Sequence, residues 1–176
     1  MAGLFSRRLD PRPPGGPVVV LLHGFGSDGQ RDWIDTGTAA MLAAFGHTVI
    51  VPDLPGHGSS PDPATAAEAH APAIARAVTH GEQPSDPFTA MIAGLARTPG
   101  RALCVEGLRE TPFTARSWSG KLPPVFVVGQ DDGMTAGIER IVELTPGAEL
   151  VRVPGGHVEA LAGAGLREAV VKVLQG

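Results

Sequence analysis

Apolar residues in this chain cluster into short runs, and each run ends in glycine, proline or polar residues. The first run, Val18 to Leu22, is continuously apolar and leads directly into the turn His23-Gly24-Phe25-Gly26. A short apolar run without polar alternation predicts a strand that is buried on both faces. Comparable runs predict three further strands, at residues 48–52, 124–129 and 149–153.

Segments with helical periodicity separate these strands. Residues 36–45 place Met41, Leu42 and Phe45 on one face and stop before Gly46, which predicts a helix packed on the sheet. Strands that alternate with helices predict an α/β fold with right-handed crossovers. We expect three α/β/α layers around a small, mainly parallel sheet of about four strands in the order 2-1-3-4. Three more helices are predicted, at residues 65–80, 135–144 and 165–174.

The whole chain, 1–176, is expected to form a single domain, because a chain of this length can bury a core. Residues 1–16 are rich in proline and glycine and predict a flexible lead-in. Residues 82–121 predict a helical, lid-like segment. Within that segment, residues 101–108 fit a strand or a short helix, with a slight preference for the helix.

Composition excludes several partners. The chain has 14 basic and 18 acidic residues, a net charge of -4, and no basic run of the kind that binds nucleic acid. No apolar run is long enough to span a bilayer, and no signal-peptide pattern is present. A single cysteine, Cys104, suits a reducing compartment and is expected in the core. These features predict a cytoplasmic protein that acts on a small molecule, without nucleic acid or membrane.

Two strand ends carry residues that could act together. Asp132 follows the third predicted strand and His157 follows the fourth. A carboxylate that accepts the Nδ1–H of a histidine fixes its tautomer and leaves Nε2 free as a base. We therefore predict Asp132 as the acid and His157 as the base, although Asp131 or Asp132 could instead simply cap the following helix.

The other polar residues at the strand ends have less specific patterns. His23, Asp53 and His57, with the two residues of the pair, could in principle hold a metal. No closely spaced ligand pattern supports this, so we predict neither a metal nor a cofactor.

Four turns together resemble the α/β-hydrolase fold family. They are His23 to Gly26, Asp53-Leu54-Pro55-Gly56-His57-Gly58-Ser59, Gly129-Gln130-Asp131-Asp132 and Gly155-Gly156-His157. The resemblance covers residues 17–80 and 120–176, with the acid before the histidine as in that family. It implies that His23, Gly24, Phe25 and Gly26 form an oxyanion loop in which the Phe25 N–H faces the tetrahedral intermediate. It also implies catalytic roles for Asp132 and His157.

The sequence departs from that family at the nucleophile. No Gly-x-Ser-x-Gly or Gly-x-Cys-x-Gly occurs, so the family's nucleophile cannot be assigned to any position. Ser27 is the best-placed substitute, ahead of Ser59, Ser60 and Ser119, although serine is also common in turns.

Two functions follow from this departure. The first is hydrolysis of an ester, thioester or related acyl bond by the His157/Asp132 dyad with an unidentified nucleophile or water. The alternative is a non-catalytic pseudo-hydrolase that binds a small molecule or another protein. The elbow strand and the next strand are expected to be absent, which would leave sheet edges that a second copy could cover as a homodimer.

Overall fold

The structure is a computed structural model, and it describes residues 4–13, 15–62, 118 and 120–175. The chain divides into two compact units, Met1–Pro112 and Phe113–Gly176. The predicted helix at 65–80, the ambiguous segment 101–108, Cys104, Ser119 and almost all of the predicted lid at 82–121 lie outside the described residues.

The first unit contains a mixed three-stranded sheet. Its strands are β1 (Ser6–Leu9), β2 (Val19–Val20) and β3 (Val49–Pro52), in the spatial order β1-β3-β2. β2 is parallel to β3, as predicted, and β1 is antiparallel to it.

Strand β1 corrects the prediction that residues 1–16 are a flexible lead-in. Ser6 pairs with Pro52 and Leu9 pairs with Val49, so the segment covers one edge of β3. Only alternate residues of β1 are partly buried, and two of its four residues are arginine. The segment therefore has no apolar run, and its strand character comes from the partner strand.

Strand β2 is not buried on both faces, contrary to the prediction. Val18, Val20 and Leu22 are 61%, 55% and 57% exposed, whereas Leu21 is buried. The Val19 N–H donates to the carbonyl of Thr48, which directly precedes β3, and the Leu21 N–H donates to the carbonyl of Ile50 in β3, at 2.9 Å each. Alternate residues therefore differ in burial, which is the pattern of a strand with one covered face.

Two helical segments follow β2. The first is a π-helix, Gln30–Ile34, and the second is α1 (Thr38–Ala44), which corresponds to the predicted helix at 36–45. The helix packs on β3 through Leu42, but Phe45 is exposed rather than part of the packed face. Among the described residues of this unit, the fully buried apolar side chains are Ala39, Leu42, Val49 and Val51.

The second unit is built on a parallel pair, β4 (Val125–Gly129) and β5 (Glu149–Val153), at almost the predicted positions. A 3-10 helix, Gly133–Thr135, and α2 (Ile138–Leu144) replace the single helix predicted at 135–144. The chain ends in α3 (His157–Ala162) and α4 (Ala164–Gln175). The short helix α3 was not predicted.

The predicted strand neighbours 2-1 and 3-4 correspond to the observed pairs β2·β3 and β4·β5. The predicted pairing of β2 with β4 is not among the strand pairs of the described residues and stays a prediction. No helix within the described ranges has the length and apolar character needed to cross a bilayer.

Candidate active site

The buried carboxylate of Asp32 holds the loop of residues 23–29, which follows β2. Asp32 Oδ2 accepts a hydrogen bond from the Gly24 N–H at 3.1 Å, and Asp32 Oδ1 accepts one from the Ser27 hydroxyl. The Ser27 N–H also donates to the Gly24 carbonyl, at 3.2 Å. The hydroxyl predicted as the first substitute nucleophile therefore donates its proton to a carboxylate and helps to hold this loop.

His23 is buried and uses both ring nitrogens within this unit. Its Nε2 accepts from the Leu54 N–H at 2.9 Å, so the ring proton lies on Nδ1, which donates to the Gly24 carbonyl at 2.9 Å. This histidine ties the 23–29 loop to the turn after β3. Neither nitrogen is left to accept a proton during catalysis.

His57 is buried and fixed in the same tautomer. Its Nδ1 donates to the Pro55 carbonyl at 2.8 Å, and its Nε2 accepts from the Gly26 N–H at 3.2 Å. The ring also contacts His23 and the edge of Phe25, with centroids 5.2 and 5.5 Å apart. His57 thus holds the two turns together, like His23.

The Phe25 N–H is one of three main-chain donors of the loop, with those of His23 and Asp28, for which no acceptor is described. The neighbouring N–H groups of Gly24, Gly26 and Ser27 each have an acceptor, whereas that of Phe25 makes no hydrogen bond to any residue that the structure describes. A fixed main-chain N–H without an acceptor is able to stabilise a developing oxyanion.

Asp53, at the end of β3, is a fully buried carboxylate with three donors. Oδ1 accepts from Arg7 at 2.8 Å and from the Gly29 N–H at 2.9 Å, and Oδ2 accepts from the Ser59 N–H at 2.9 Å. Burial raises the pKa of Asp53, but the bonds from Ser59, Arg7 and Gly29 outweigh it and hold that pKa below its ordinary value. Asp53 therefore connects β1 with both loops.

Gly58 shows how tightly the turn after β3 closes around this carboxylate. It has a φ of +53°, and a Cβ at this position would collide with Asp53 Oδ2. The turn therefore requires glycine both for its backbone conformation and for space. Next to it, the Ser60 hydroxyl donates to the Asp53 carbonyl at 2.6 Å, so it also has a structural bond.

In the second unit, the structure brings Asp132 and His157 together. Asp132 Oδ2 lies 2.8 Å from His157 Nδ1, and Asp132 Oδ1 accepts from the Met134 N–H at 2.9 Å. The carboxylate therefore both bonds to the imidazole and caps the 3-10 helix, and its catalytic role stays a prediction.

The two partners differ strongly in exposure. The Asp132 side chain is 4% exposed and the His157 side chain 58%. Burial raises the pKa of Asp132, but the hydrogen bond from His157, the Met134 N–H and the attraction of the imidazole lower it below its ordinary value. His157 Nε2 makes no hydrogen bond to any described residue, so the ring is oriented at one nitrogen and open at the other.

Close packing of the backbone brings the turns of Asp132 and His157 together. Gly129 ends β4, and a Cβ there would collide with the carbonyl oxygen of Gly155 and lie 2.9 Å from that of Gly156. The Asp131 N–H donates to the Gly155 carbonyl at 3.1 Å. The acid turn and the histidine turn are thus in direct contact, and His157 begins α3.

Some functional features were missed by the sequence interpretation. Asp32 and Arg7 have no motif, and only their contacts reveal that they hold the loops. The acid turn also has a Gly-x-Asp-x-Gly spacing, from Gly129 to Gly133, with Asp131 at its centre. Asp131 is exposed, and because a carboxylate can act as a nucleophile, it joins Ser27 among the candidates.

The candidate metal ligands of the first unit, Asp53, His23 and His57, all have protein partners. Within the described ranges, no group of three or more His, Cys, Asp or Glu side chains is arranged to hold a metal ion.

Comparison with known proteins identifies the fold. Residues 19–94 match the sequence model of the alpha/beta hydrolase family. A thermophilic esterase from Thermogutta terrifontis superposes with a TM-score of 0.62 at 18% identity, covering 98% of this chain and 93% of the esterase. This protein has the α/β-hydrolase fold. An enol-lactonase from Burkholderia xenovorans LB400 gives a TM-score of 0.65 at 16% identity, covering 98% and 96% of the two chains.

A curated relative is similar over a shorter stretch of this α/β-hydrolase-fold protein. The magnesium-chelatase 30 kDa subunit of Rhodobacter capsulatus is 48% identical over 54 residues, which is 30% of this chain and 17% of the relative. The chain matches only about one sixth of the length of such curated relatives. The similarity therefore covers a small part of these relatives, and the reaction of this chain is a matter for proposal.

Proposed function

We propose that this protein hydrolyses an ester, thioester or related acyl bond of a small molecule, with His157 as general base and Asp132 as the residue that orients it. The observation that carries the proposal is the 2.8 Å contact between Asp132 Oδ2 and His157 Nδ1, together with an exposed ring whose Nε2 has no partner among the described residues. An imidazole oriented in this way has its second nitrogen available for a proton.

In the proposed reaction, His157 Nε2 removes a proton from water as the water oxygen attacks the acyl carbonyl. Asp132 stabilises the imidazolium that forms. The tetrahedral intermediate then collapses, the bond to the alcohol or thiol breaks, and the imidazolium returns the proton to the leaving group.

The bonding of the Ser27 hydroxyl favours water or an exposed carboxylate over Ser27 as the attacking group. The Ser27 hydroxyl donates to Asp32 Oδ1, while the other oxygen of that carboxylate accepts from the Gly24 N–H. A serine must instead give its proton to a base such as histidine in order to attack. Asp131, which is exposed and directly precedes Asp132 in sequence, is the carboxylate to test. It would attack without losing a proton and would expel the alcohol or thiol, which takes its proton from water. His157 would then remove a proton from the water that hydrolyses the acyl intermediate.

The test is turnover of p-nitrophenyl butyrate by the wild type and by His157→Ala, Asp132→Asn and Asp131→Asn. We expect the first two substitutions to lower kcat/KM by roughly 100- to 10,000-fold, the range of a general base and its orienting group. His47→Ala is the matched control, because His47 is buried in the other unit and bonds only to the Pro17 carbonyl, at 3.2 Å. Turnover that survives His157→Ala would contradict the proposal.

The alternative, a non-catalytic binding protein, is favoured by the structural use of Ser27 and by the absence of a serine or cysteine elbow motif. It predicts no labelling by a fluorophosphonate probe and no His157-dependent turnover of any ester or thioester. Labelling of one residue, mapped by mass spectrometry and lost in His157→Ala, would exclude it.

A further inference from the structure

Two apolar side chains are exposed directly beside the pair of Asp132 and His157. Met134, two residues after Asp132, is 50% exposed, and Val158, the residue after His157, is 64% exposed. A single exposed apolar residue is ordinary, whereas a group of them beside a reactive side chain is typical of a binding surface. The significance of these two residues therefore depends on their surroundings.

Hydrogen bonds place Met134 and the His157 ring on the two oxygens of one carboxylate. The Met134 N–H donates to Asp132 Oδ1 at 2.9 Å, and His157 Nδ1 lies 2.8 Å from Asp132 Oδ2. Val158 follows His157 in the first turn of α3, where both side chains are exposed while Ala160 is buried. All five residues belong to the second unit, so this surface is described within one unit.

Glu159 adds a negative charge at the same place. Its side chain lies over the histidine turn, because a Cβ built on Gly156 would be 2.9 Å from Glu159 Oε2 and 3.9 Å from the Asp131 carbonyl oxygen. The Glu159 carboxylate is therefore beside the contact between the two turns. Asp131 is exposed there as well, and the segments 129–135 and 155–162 contain no lysine or arginine.

The arginines between these two segments in sequence are engaged with other carboxylates. Arg140 pairs with Glu143 at 3.0 Å, and Arg152 pairs with Glu139. The described surface beside His157 thus combines apolar side chains with negative charge. Such a surface favours an uncharged, apolar group over an anion, because an anion would be repelled and would lose water without gaining a partner.

The proposed reaction indicates which part of an ester lies on this surface. His157 Nε2 has to reach both the attacking water and the leaving oxygen or sulfur, so these atoms lie at the nitrogen. The acyl chain is the remaining substituent of the carbonyl carbon, and it has no atom that bonds to Nε2. It is therefore the part of the substrate that is left to contact the flanking side chains.

We propose that the substrate has an apolar, uncharged acyl chain, that Met134 and Val158 bind this acyl chain, and that Glu159 disfavours acyl chains that end in a carboxylate. The inference rests on the proposed function, because it names the substrate class of the same dyad. It assigns selectivity to these three residues and leaves the chemical step to His157 and Asp132.

The first test is selectivity for acyl-chain length. p-Nitrophenyl acetate and p-nitrophenyl hexanoate share a leaving group and differ only in the acyl chain, and we expect kcat/KM to be about tenfold higher for the hexanoate. Val158→Thr and Met134→Gln keep most of the side-chain shape and add polarity. Each should lower this ratio about three- to fivefold by reducing the hexanoate value. Val173→Thr is the matched control, because Val173 is 48% exposed but lies in α4, and it should leave the ratio unchanged.

The second test is selection against anionic acyl chains. Mono-p-nitrophenyl glutarate, whose acyl chain ends in a carboxylate, should have a lower kcat/KM than the hexanoate. Glu159→Gln should raise kcat/KM for the glutarate about threefold at low ionic strength, and added salt should remove this gain. Glu168→Gln removes the same charge from an exposed position in α4 and should have no such effect.

A binding measurement makes the inference testable without turnover. The chain has four methionines, and with methyl-labelled methionine the nuclear magnetic resonance signal that disappears in Met134→Gln identifies Met134. In the His157→Ala variant, ethyl hexanoate should shift that signal saturably. Sodium hexanoate, the anionic counterpart with the same acyl chain, should leave it in place. Dispersed methyl signals in the same spectra verify that each variant is folded.

The outcomes separate this inference from the proposed function. His157-dependent turnover with equal kcat/KM for acetate and hexanoate, or a hexanoate preference that survives both Val158→Thr and Met134→Gln, overturns the inference and leaves the function standing. A saturable shift of the Met134 signal without any turnover supports the acyl-binding surface and contradicts the catalytic function. An unshifted Met134 signal, or an equal response to ethyl hexanoate and sodium hexanoate, also overturns the inference.

Discussion

The histidines of the two units have opposite environments. His23 and His57 are 4% and 3% exposed, and each uses both ring nitrogens in bonds that hold the turns after β2 and β3. His157 is bonded at Nδ1 to Asp132 and is largely exposed. All three follow strand ends and belong to glycine-rich turns, so neither residue type nor position along the strand distinguishes them.

The bonding of Nε2 decides whether a histidine only holds the structure together or can also accept a proton. A main-chain N–H that donates to Nε2 occupies the lone pair that would accept a proton, as Leu54 does at His23. An aspartate that accepts from Nδ1 instead leaves that lone pair available at Nε2. The two units therefore use one residue type for two purposes, and substitutions should separate them.

The largest expected effect is the loss of turnover in the His157→Ala variant. We expect kcat/KM to fall roughly 100- to 10,000-fold, since the proposed base is removed. The free energy of unfolding should fall by about 1 kcal/mol or less, because a largely exposed ring contributes little to stability. Ester hydrolysis and urea denaturation of the same preparation measure the two quantities.

His23→Ala is the matched comparison, and it should reverse this pattern. It leaves the Leu54 N–H without its acceptor, so the free energy of unfolding should fall by about 1–3 kcal/mol. Turnover per folded molecule should fall less than about tenfold. If His23→Ala abolished turnover of the folded protein while His157→Ala did not, the assignment of the two environments would be reversed.

The second effect is on the stability of the first unit. Asp53→Asn removes the charge that receives Arg7 and two main-chain donors in a fully buried position. We expect the free energy of unfolding to fall by about 2–4 kcal/mol, as when one partner of a buried ion pair is lost. Urea denaturation followed by circular dichroism measures the change.

An exposed pair nearby serves as the control. Asp10 and Arg8 are 2.8 Å apart with side chains that are 65% and 63% exposed. Asp10→Asn should therefore change stability by about 0.5 kcal/mol or less. Equal effects of Asp10→Asn and Asp53→Asn would contradict the central role assigned to Asp53.

The smallest expected effect is a decrease in the stability contributed by Asp53 as the pH falls. The pKa of Asp53 is lower in the folded protein than its ordinary value of 3.8. The stability it contributes is thus fully present above the unfolded pKa, and it is lost as the pH falls from that value through the folded pKa. The difference in unfolding free energy between wild type and Asp53→Asn should be larger at pH 6 than at pH 3.

The same sign holds for Asp132, whose pKa is also lowered. The contribution should be smaller there, because its partner His157 is largely exposed and water screens the pair. A pH series on Asp132→Asn, compared with that on Asp53→Asn, checks the ranking. A difference that grows as the pH falls would contradict both assignments.

Much of the second unit could be predicted from the sequence. β4 and β5 are continuous apolar runs between clear turn residues, and both lie within one residue of their predicted bounds. The pair of Asp132 and His157 followed from the polar residues after each strand. Periodicity did not reveal α3, since residues 157–162 form a short helix without a long apolar stripe.

The first unit was harder to predict. β1 was missed because Ser6-Arg7-Arg8-Leu9 has no apolar run, and it forms a strand only against β3. The predicted burial of β2 was wrong because five apolar residues in a row do not reveal how many faces are covered. The oxyanion role of Phe25 and the nucleophile remain predictions, since no measurement on the described residues tests them.

The three histidines illustrate which features the sequence determines and which ones depend on the tertiary structure. The sequence by itself determined the α/β character, the positions of four of the five described strands, the glycine-rich turns and the residues at the strand ends, because these depend on local patterns of apolar residues and turn formers. Only the tertiary structure decided which nitrogen of each histidine is bonded and which hydroxyl donates to Asp32. These depend on distances between residues remote in sequence, and no local pattern encodes them.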